Sequence, residues 1–279
     1  MNQRPLSSRH ILGCLQHYLA RRRWAVKLAT KLRNQCQRVI AYHLSPGPEF
    51  DRNGEEWLIN NLAPSVRHYV EVGANIGQWS SAMLERLPAD ALGLVFEPGR
   101  SMAGTLRERL ATDPRLEVVE AACGDMAGQI AFHEGHECAE TSGLVPEFTA
   151  EQGIKVTYPV RITRVDNEVE ARGWPSIDFL KIDAEGWDLA CLRGADRLFA
   201  AGKVQAVQFE YGPGWVYAGS TLAAAIRFLR NHQYTLYLLQ PDCLVSYDYH
   251  RYGEHFSYSN FVAIAPNASG HVRQLKKGT

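Results

Sequence analysis

The chain has 279 residues, of which 46% are hydrophobic, enough for a full core and too many for a disordered protein. Its 30 Lys and Arg balance its 30 Asp and Glu, and no nucleic-acid partner is expected. No run of about 18 apolar residues exists, so the sequence predicts no membrane span. The cysteines at 14, 36, 123, 138, 191 and 243 form no C-x-x-C pair, and no apolar leader precedes them, which points to free thiols in a reducing cytoplasm.

Charge is unevenly spread along the chain. Residues 1–48 hold nine Lys or Arg and no acid, so the remainder carries a formal −9. From about His10 to Tyr42, Leu15, Leu19, Ala29, Leu32, Cys36 and Val39 recur at helical spacing among Arg21, Arg22, Arg23, Lys27, Lys31, Arg33 and Arg38. This predicts one or two basic amphipathic helices over 1–50, ended near Ser45-Pro46-Gly47-Pro48, ahead of a domain over 51–279. Two readings of the arm stand: peripheral attachment to an anionic surface at the inner membrane face, or a stripe packed on the main domain or on a second subunit.

A short helix over 54–63 leads to Tyr69-Val70-Glu71-Val72-Gly73-Ala74-Asn75-Ile76-Gly77, an apolar strand that breaks into glycines and restarts as a helix over Ser80–Leu87. It reads as a nucleotide cradle in which Gly73 and Gly77 keep side chains away from a ligand over the helix start. A dinucleotide cradle normally carries three glycines and a pyrophosphate. Two glycines with Glu71 beside them suit a ligand bearing an ammonium and a sulfonium, as S-adenosylmethionine does. A second buried strand, Leu92–Phe96, ends at Glu97, 26 positions beyond Glu71, where a strand-end acid accepts from ribose hydroxyls. A nicotinamide-dependent oxidoreductase stays open at this point.

A helix over Arg100–Ala111 leads to a third strand over Leu116–Ala121. After it, Asp125 is either an acceptor for an adenine amino group or a turn residue. Strand character over 129–133 and 155–162 brackets a polar segment with Thr141-Ser142-Gly143, read as a hairpin-like excursion and a place for a substrate lid. His133, His136 and Cys138 are rejected as a zinc site, because their spacing suits a helix while their surroundings are strand and loop.

Further strands, Ile177–Asp183 and Val204–Glu210, end in acids, and more follow at 234–239 and 261–265. Alternation of strand and helix predicts an α/β doubly wound, mostly parallel sheet, with Glu71, Glu97, Asp125, Asp183, Glu185 and Glu210 converging outside the strand ends. Between the last two strands, Tyr247, Tyr249, His250 and Tyr252, with Trp215 earlier, are candidates for contacts to a sugar. The alternative is that these rings pack their loop.

Glu71-Val72-Gly73-Ala74-Asn75-Ile76-Gly77, Phe96-Glu97-Pro98, Thr163-Arg164-Val165-Asp166, Lys181-Ile182-Asp183-Ala184-Glu185-Gly186-Trp187-Asp188 with Leu192-x-Gly194-Ala195, and Phe209-Glu210 resemble the FkbM family of S-adenosylmethionine-dependent methyltransferases. The resemblance implies the Rossmann-like class I methyltransferase fold with seven strands, and O-methylation of a sugar, glycan or other small-molecule hydroxyl. Glu71 stands where the family usually has Asp, and Asp188 where it has Glu. The basic arm lies outside the resemblance.

Methyl transfer to an alcohol needs an in-line nucleophile and a base for its proton. Asp183 and Glu185, two apart at a strand end, are expected to point the same way and share a proton, with Lys181 holding one of them ionised. Glu210 completes the catalytic set, while Glu71, Gly73, Asn75, Gly77, Glu97, Asp125 and Asp183 are the cofactor-binding candidates. A magnesium ion on Asp183, Glu185 and Glu210 is a second route to the same acidification. A helix cap is the bland role for Glu185, and a scaffold that has lost turnover is the bland role for the whole domain.

Overall fold

The structure is a computed structural model that describes residues 8–275 except 46, 48, 136–141 and 152. His136, Cys138, Thr141 and the prolines of the expected break fall outside the described residues. The chain divides into two units, 1–44 and 45–279. The first is two helices, α1 (Ser8–Ala20) and α2 (Arg23–Leu44), joined at a turn in which the Arg22 amide donates to the Leu19 carbonyl at 2.9 Å.

The second unit is built on an eight-stranded sheet. Its strands, in chain order, are β1 (His68–Val72), β2 (Leu92–Phe96), β3 (Leu116–Val119), β7 (Ile177–Ile182), β8 (Val204–Tyr211), β9 (Thr235–Gln240), β10 (Cys243–Ser246) and β11 (Ser259–Ile264). They lie in the order β10-β9-β11-β8-β7-β1-β2-β3. Pairings from β3 through β8 are parallel, and β11 runs antiparallel to both β8 and β9. The expected seven strands are thus joined by one more: β10 folds back on β9 through a tight turn and becomes the sheet edge.

Helices α3 (Glu55–Leu62), α4 (Gln78–Leu84), α5 (Arg100–Leu110), α7 (Val165–Ala171), α8 (Asp188–Gly194), α9 (Asp196–Ala200), α10 (Gly214–Tyr217), α11 (Leu222–Asn231), α12 (Tyr249–Tyr252) and α13 (Gly270–Gln274) accompany the strands. The physics of α11 is representative. Thr221 caps it by accepting from the Ala224 amide at 3.2 Å, and its spacing puts Leu222, Ala225, Ile226 and Leu229 on one buried face. Burying each of its larger apolar side chains contributes about 1.5–3 kcal/mol.

The polar excursion after β3 is a second, three-stranded sheet in the order β4-β6-β5, made of β4 (Ala122–Cys123), β5 (Gly128–Gly135) and β6 (Ile154–Thr163), with α6 (Pro146–Ala150) between the last two. β5 and β6 pair antiparallel, and their inner face packs Ala122, Phe132, Val160 and Ile162 into a small core. His133 sits within β5 and its Nδ1 lies 2.9 Å from Thr157 Oγ1. An isolated antiparallel bridge joins His133 to Gly143, and Ser142, Gly143 and Leu144 line the cavity described below.

Candidate functional site

Two strand-to-helix turns define the site. The first follows β1. Gly73 takes φ 80°, and a Cβ there would overlap the carbonyl oxygen of Asp183. Gly77 also takes φ 80°, and a Cβ there would come within 2.5 Å of Leu106 Cδ1. Both glycines therefore make room for protein, the end of β7 in one case and α5 in the other. Gly73 still lines the cavity, as expected of a cradle residue, whereas Gly77 does not reach it.

The second turn follows β7. Lys181 and Asp183 sit two apart on one face of the strand end, and Lys181 Nζ meets Asp183 Oδ2 at 3.0 Å. Burial works against the charge on Lys181, but the carboxylates of Asp183, Glu55 and Glu71 outweigh it and raise its pKa above the usual lysine value. The strand ends at Ile182 and Glu185 adopts φ 50°, so Asp183 and Glu185 share the cavity wall through a turn and not through the expected extended-strand geometry. Asp188 ties this turn together by accepting from the Gly186 amide at 3.1 Å and the Ala184 amide at 3.4 Å. Burial, then the nearby charge of Asp183, pushes its pKa up to about 7.

Between the turns lies a cavity open to solvent. Gly73, Asn75, Glu97, Asp183 and Glu185 line it, as do Cys123, Phe132, Leu144 and Trp187. Glu97 is 5% exposed, and it accepts from the Asn75 amide at 2.8 Å and the Gly99 amide at 2.7 Å. Burial raises its pKa to about 7 against the lowering effect of those two bonds. Two buried polar atoms of wall residues have no hydrogen-bond partner, Asn75 Oδ1 and Trp187 Nε1. Both atoms are shut off from solvent, and a Cβ at Gly124 would come within 3.0 Å of Trp187 Nε1, so neither faces the open cavity.

Other expected site residues lie elsewhere. Glu71 is fully buried, accepting from the Tyr69 hydroxyl and from Ser80 Oγ at 2.5 Å, and burial raises its pKa. It faces the core beside Lys181 and not the cavity, so it cannot meet a ligand's cationic groups. Asp125 is exposed beyond the wall formed by Ala121–Cys123, because the chain leaves there for the second sheet. Its carbonyl accepts from Arg164.

Glu210 is not on the cavity wall. Its pKa is raised well above the carboxylate range by burial, then by the charges of Asp183, Glu185 and Asp188. Among the described residues, no three His, Cys, Asp or Glu side chains are arranged to hold a metal ion, so the magnesium expectation on Asp183, Glu185 and Glu210 is not met.

The aromatic candidates pack protein. Trp215 is 1% exposed, donates from Nε1 to the Glu210 carbonyl at 2.9 Å and stands edge-on to Tyr211. Tyr247 is buried between Tyr252 and Phe261. Tyr249 donates its hydroxyl to Glu254 at 3.0 Å, and His250 is exposed on α12. None of these, nor Tyr252, lines the cavity. Phe132 and Cys123 were not foreseen as wall residues, because only the second sheet brings them there. Trp187 stood in a quoted motif without a role.

Residues 71–236 match the Methyltransferase FkbM domain. Methyltransferase sdnD of Sordaria araneosa is 31% identical over 166 residues, which cover 50% of this chain and 63% of that protein. The chain thus spans less than two thirds of that relative's length. The 2-O-methyltransferase NoeI of Sinorhizobium fredii is 24% identical over 168 residues, covering 56% of this chain and 68% of its own. Among solved structures, a precorrin-6y C5,15-methyltransferase from Geobacter metallireducens aligns with 76% of this chain and 87% of its own, at 13% identity and a TM-score of 0.42. The family match covers more than half of the residues and contains both turns of the site, and the chain belongs to the FkbM methyltransferase family.

Proposed function

We propose that the chain is an S-adenosylmethionine-dependent methyltransferase acting on a hydroxyl oxygen of a sugar, a glycan or another natural product. The observation that carries this is the cavity at the ends of β1, β2 and β7, lined by the acids Glu97, Asp183 and Glu185. Carboxylates there fit a cofactor with hydroxyl and ammonium groups to recognise. Family membership supports methyl transfer, and the name of NoeI supports oxygen as the target.

The cofactor supplies a methyl group on a sulfonium. What remains for the chain is to exclude water, to hold the acceptor oxygen in line and to take its proton. Glu97, held by two backbone amides, has lone pairs left for ribose hydroxyls. Asp183 is the proton acceptor: it lines the cavity, and Lys181 Nζ at 3.0 Å holds its Oδ2 in place. Glu185 lies beside it on the wall and helps to orient the acceptor. Burial and the charges of Asp183, Glu185 and Asp188 favour the protonated form of Glu210, which limits the negative charge gathered near Asp183.

The test is a transfer assay with isotopically labelled methyl donor and defined glycans, followed by NMR of the product. The reading expects the label as a methoxy group. Label on nitrogen, carbon or sulfur would overturn the choice of acceptor.

A further inference from the structure

The helices of the first unit carry a surface that the proposed reaction does not use. At 100° per residue, α2 gathers Trp24, Leu28, Leu32, Cys36, Val39 and Tyr42 into one arc of roughly 120°. Arg23, Lys27, Lys31 and Arg38 fall on another arc, next to the edge that holds Trp24 and Tyr42. The apolar arc is uncovered: Trp24 is 63% exposed, Leu32 59%, Val39 71% and Tyr42 78%. On α1, Leu12, Leu15 and Tyr18 are likewise more than half exposed. So large a contiguous apolar surface marks a place of contact.

We propose that α1 and α2 dock the chain on the surface of an anionic phospholipid bilayer. Charge selects this occupant. Residues 1–48 contain nine bases and no acid, so two arms meeting stripe to stripe would bring like charges together, whereas lipid phosphates neutralise them. The turn between the helices adds a cluster of donors: Arg21, Arg22, Arg23 and Lys27 surround an open hollow with Tyr18 and Trp24. Arg22 lies 5.0 Å from the centre of the Tyr18 ring. Cations set beside amphipathic rings match the headgroup layer, where phosphate and the edge of the acyl region meet. At 22 residues α2 is about 33 Å long, but no described helix is apolar enough to cross a membrane, so α2 lies in the plane of the interface.

The experiment is co-sedimentation of the full chain with phosphatidylcholine vesicles, with and without about a third phosphatidylglycerol. Binding needs no turnover, so its result is independent of the proposed reaction. The full chain should bind the anionic vesicles at least about tenfold more tightly than the neutral ones and leave them as salt rises. Leu32→Glu with Val39→Glu should remove binding while leaving the melting temperature unchanged. Neutralising Arg21, Arg22 and Arg23 to Gln should weaken it by about a hundredfold.

Three results would overturn the proposal. Equal binding to neutral and anionic vesicles would show that the charge is unused. A drop in melting temperature in the Leu32→Glu, Val39→Glu variant would show that the stripe packs within the chain. Absent vesicle binding, with a dimer in sedimentation velocity that this variant converts to monomer, would assign the stripe to a second copy.

Discussion

The turn after β1 and the turn after β7 share one backbone feature and differ in chemistry. Each leaves a parallel strand, places a residue other than glycine at φ 50° three positions after the strand end, Asn75 in one and Glu185 in the other, and enters a helix. The first turn is uncharged, and its amides at Gly73, Ala74, Asn75 and Gly77 already donate to Phe96, Glu97 and Ala74. The second carries Asp183, Glu185 and Asp188 within six residues. They are also interlocked, since the Asp183 amide donates to the Val72 carbonyl at 2.9 Å and the Asp183 carbonyl fills the place of a Gly73 side chain. Setting the two turns side by side separates two tasks: the first turn shapes the ligand space and the second supplies charge at its edge.

The comparison predicts different failures. Asp183→Asn, a change confined to charge, should lower turnover by about 10²- to 10⁴-fold, the usual weight of a general base. Affinity for S-adenosylhomocysteine should stay within a few fold, which single-turnover kinetics beside a binding titration would read. If affinity falls as far as turnover, the division of labour is wrong. Gly73→Ala, a change confined to shape, should destabilise the fold by about 3–4 kcal/mol, because the new methyl needs both a left-handed backbone and the space of a carbonyl. Urea denaturation would measure it, and a loss below about 1 kcal/mol would mean the turns are not interlocked.

A third prediction uses acidity. Burial lifts Glu97 from 4.5 to about 7, so between those values the folded chain holds a proton that the unfolded chain has released. Stability from this group is therefore highest below about pH 4.5, declines as pH rises and is fully lost above about pH 7. The total is on the order of 3 kcal/mol. Glu97→Gln should flatten this part of the stability profile, measured by denaturation from pH 5 to 8. An unchanged slope would place the titration elsewhere.

Much of the architecture was legible because strand-length apolar runs alternate with amphipathic helices, and the acidic turn was legible in Lys181-Ile182-Asp183-Ala184-Glu185-Gly186. What stayed hidden depended on partners distant in sequence. Glu71 looked like a ligand contact, yet its partners are Tyr69, on the same strand face, and Ser80, one helical turn into α4. Strand alternation does put Glu71 beside Tyr69, so that signal was available. No local pattern reveals that α5 presses on Gly77, or that the second sheet delivers Phe132 to the wall. The aromatic loop misled for a related reason: rings that suit a sugar also suit a core, and Tyr211 and Phe261 recruit Tyr247 and His255.

The central claim is that the space between the two turns holds S-adenosylmethionine. Calorimetric titration with S-adenosylhomocysteine and, separately, with NAD tests it most directly, on the full chain and on Glu97→Ala. The account predicts binding of S-adenosylhomocysteine that Glu97→Ala weakens by about 1.5–3 kcal/mol, the range for hydrogen bonds to a charged group, and no heat with NAD. Binding of NAD without S-adenosylhomocysteine, or an affinity for the latter untouched by Glu97→Ala, would contradict it.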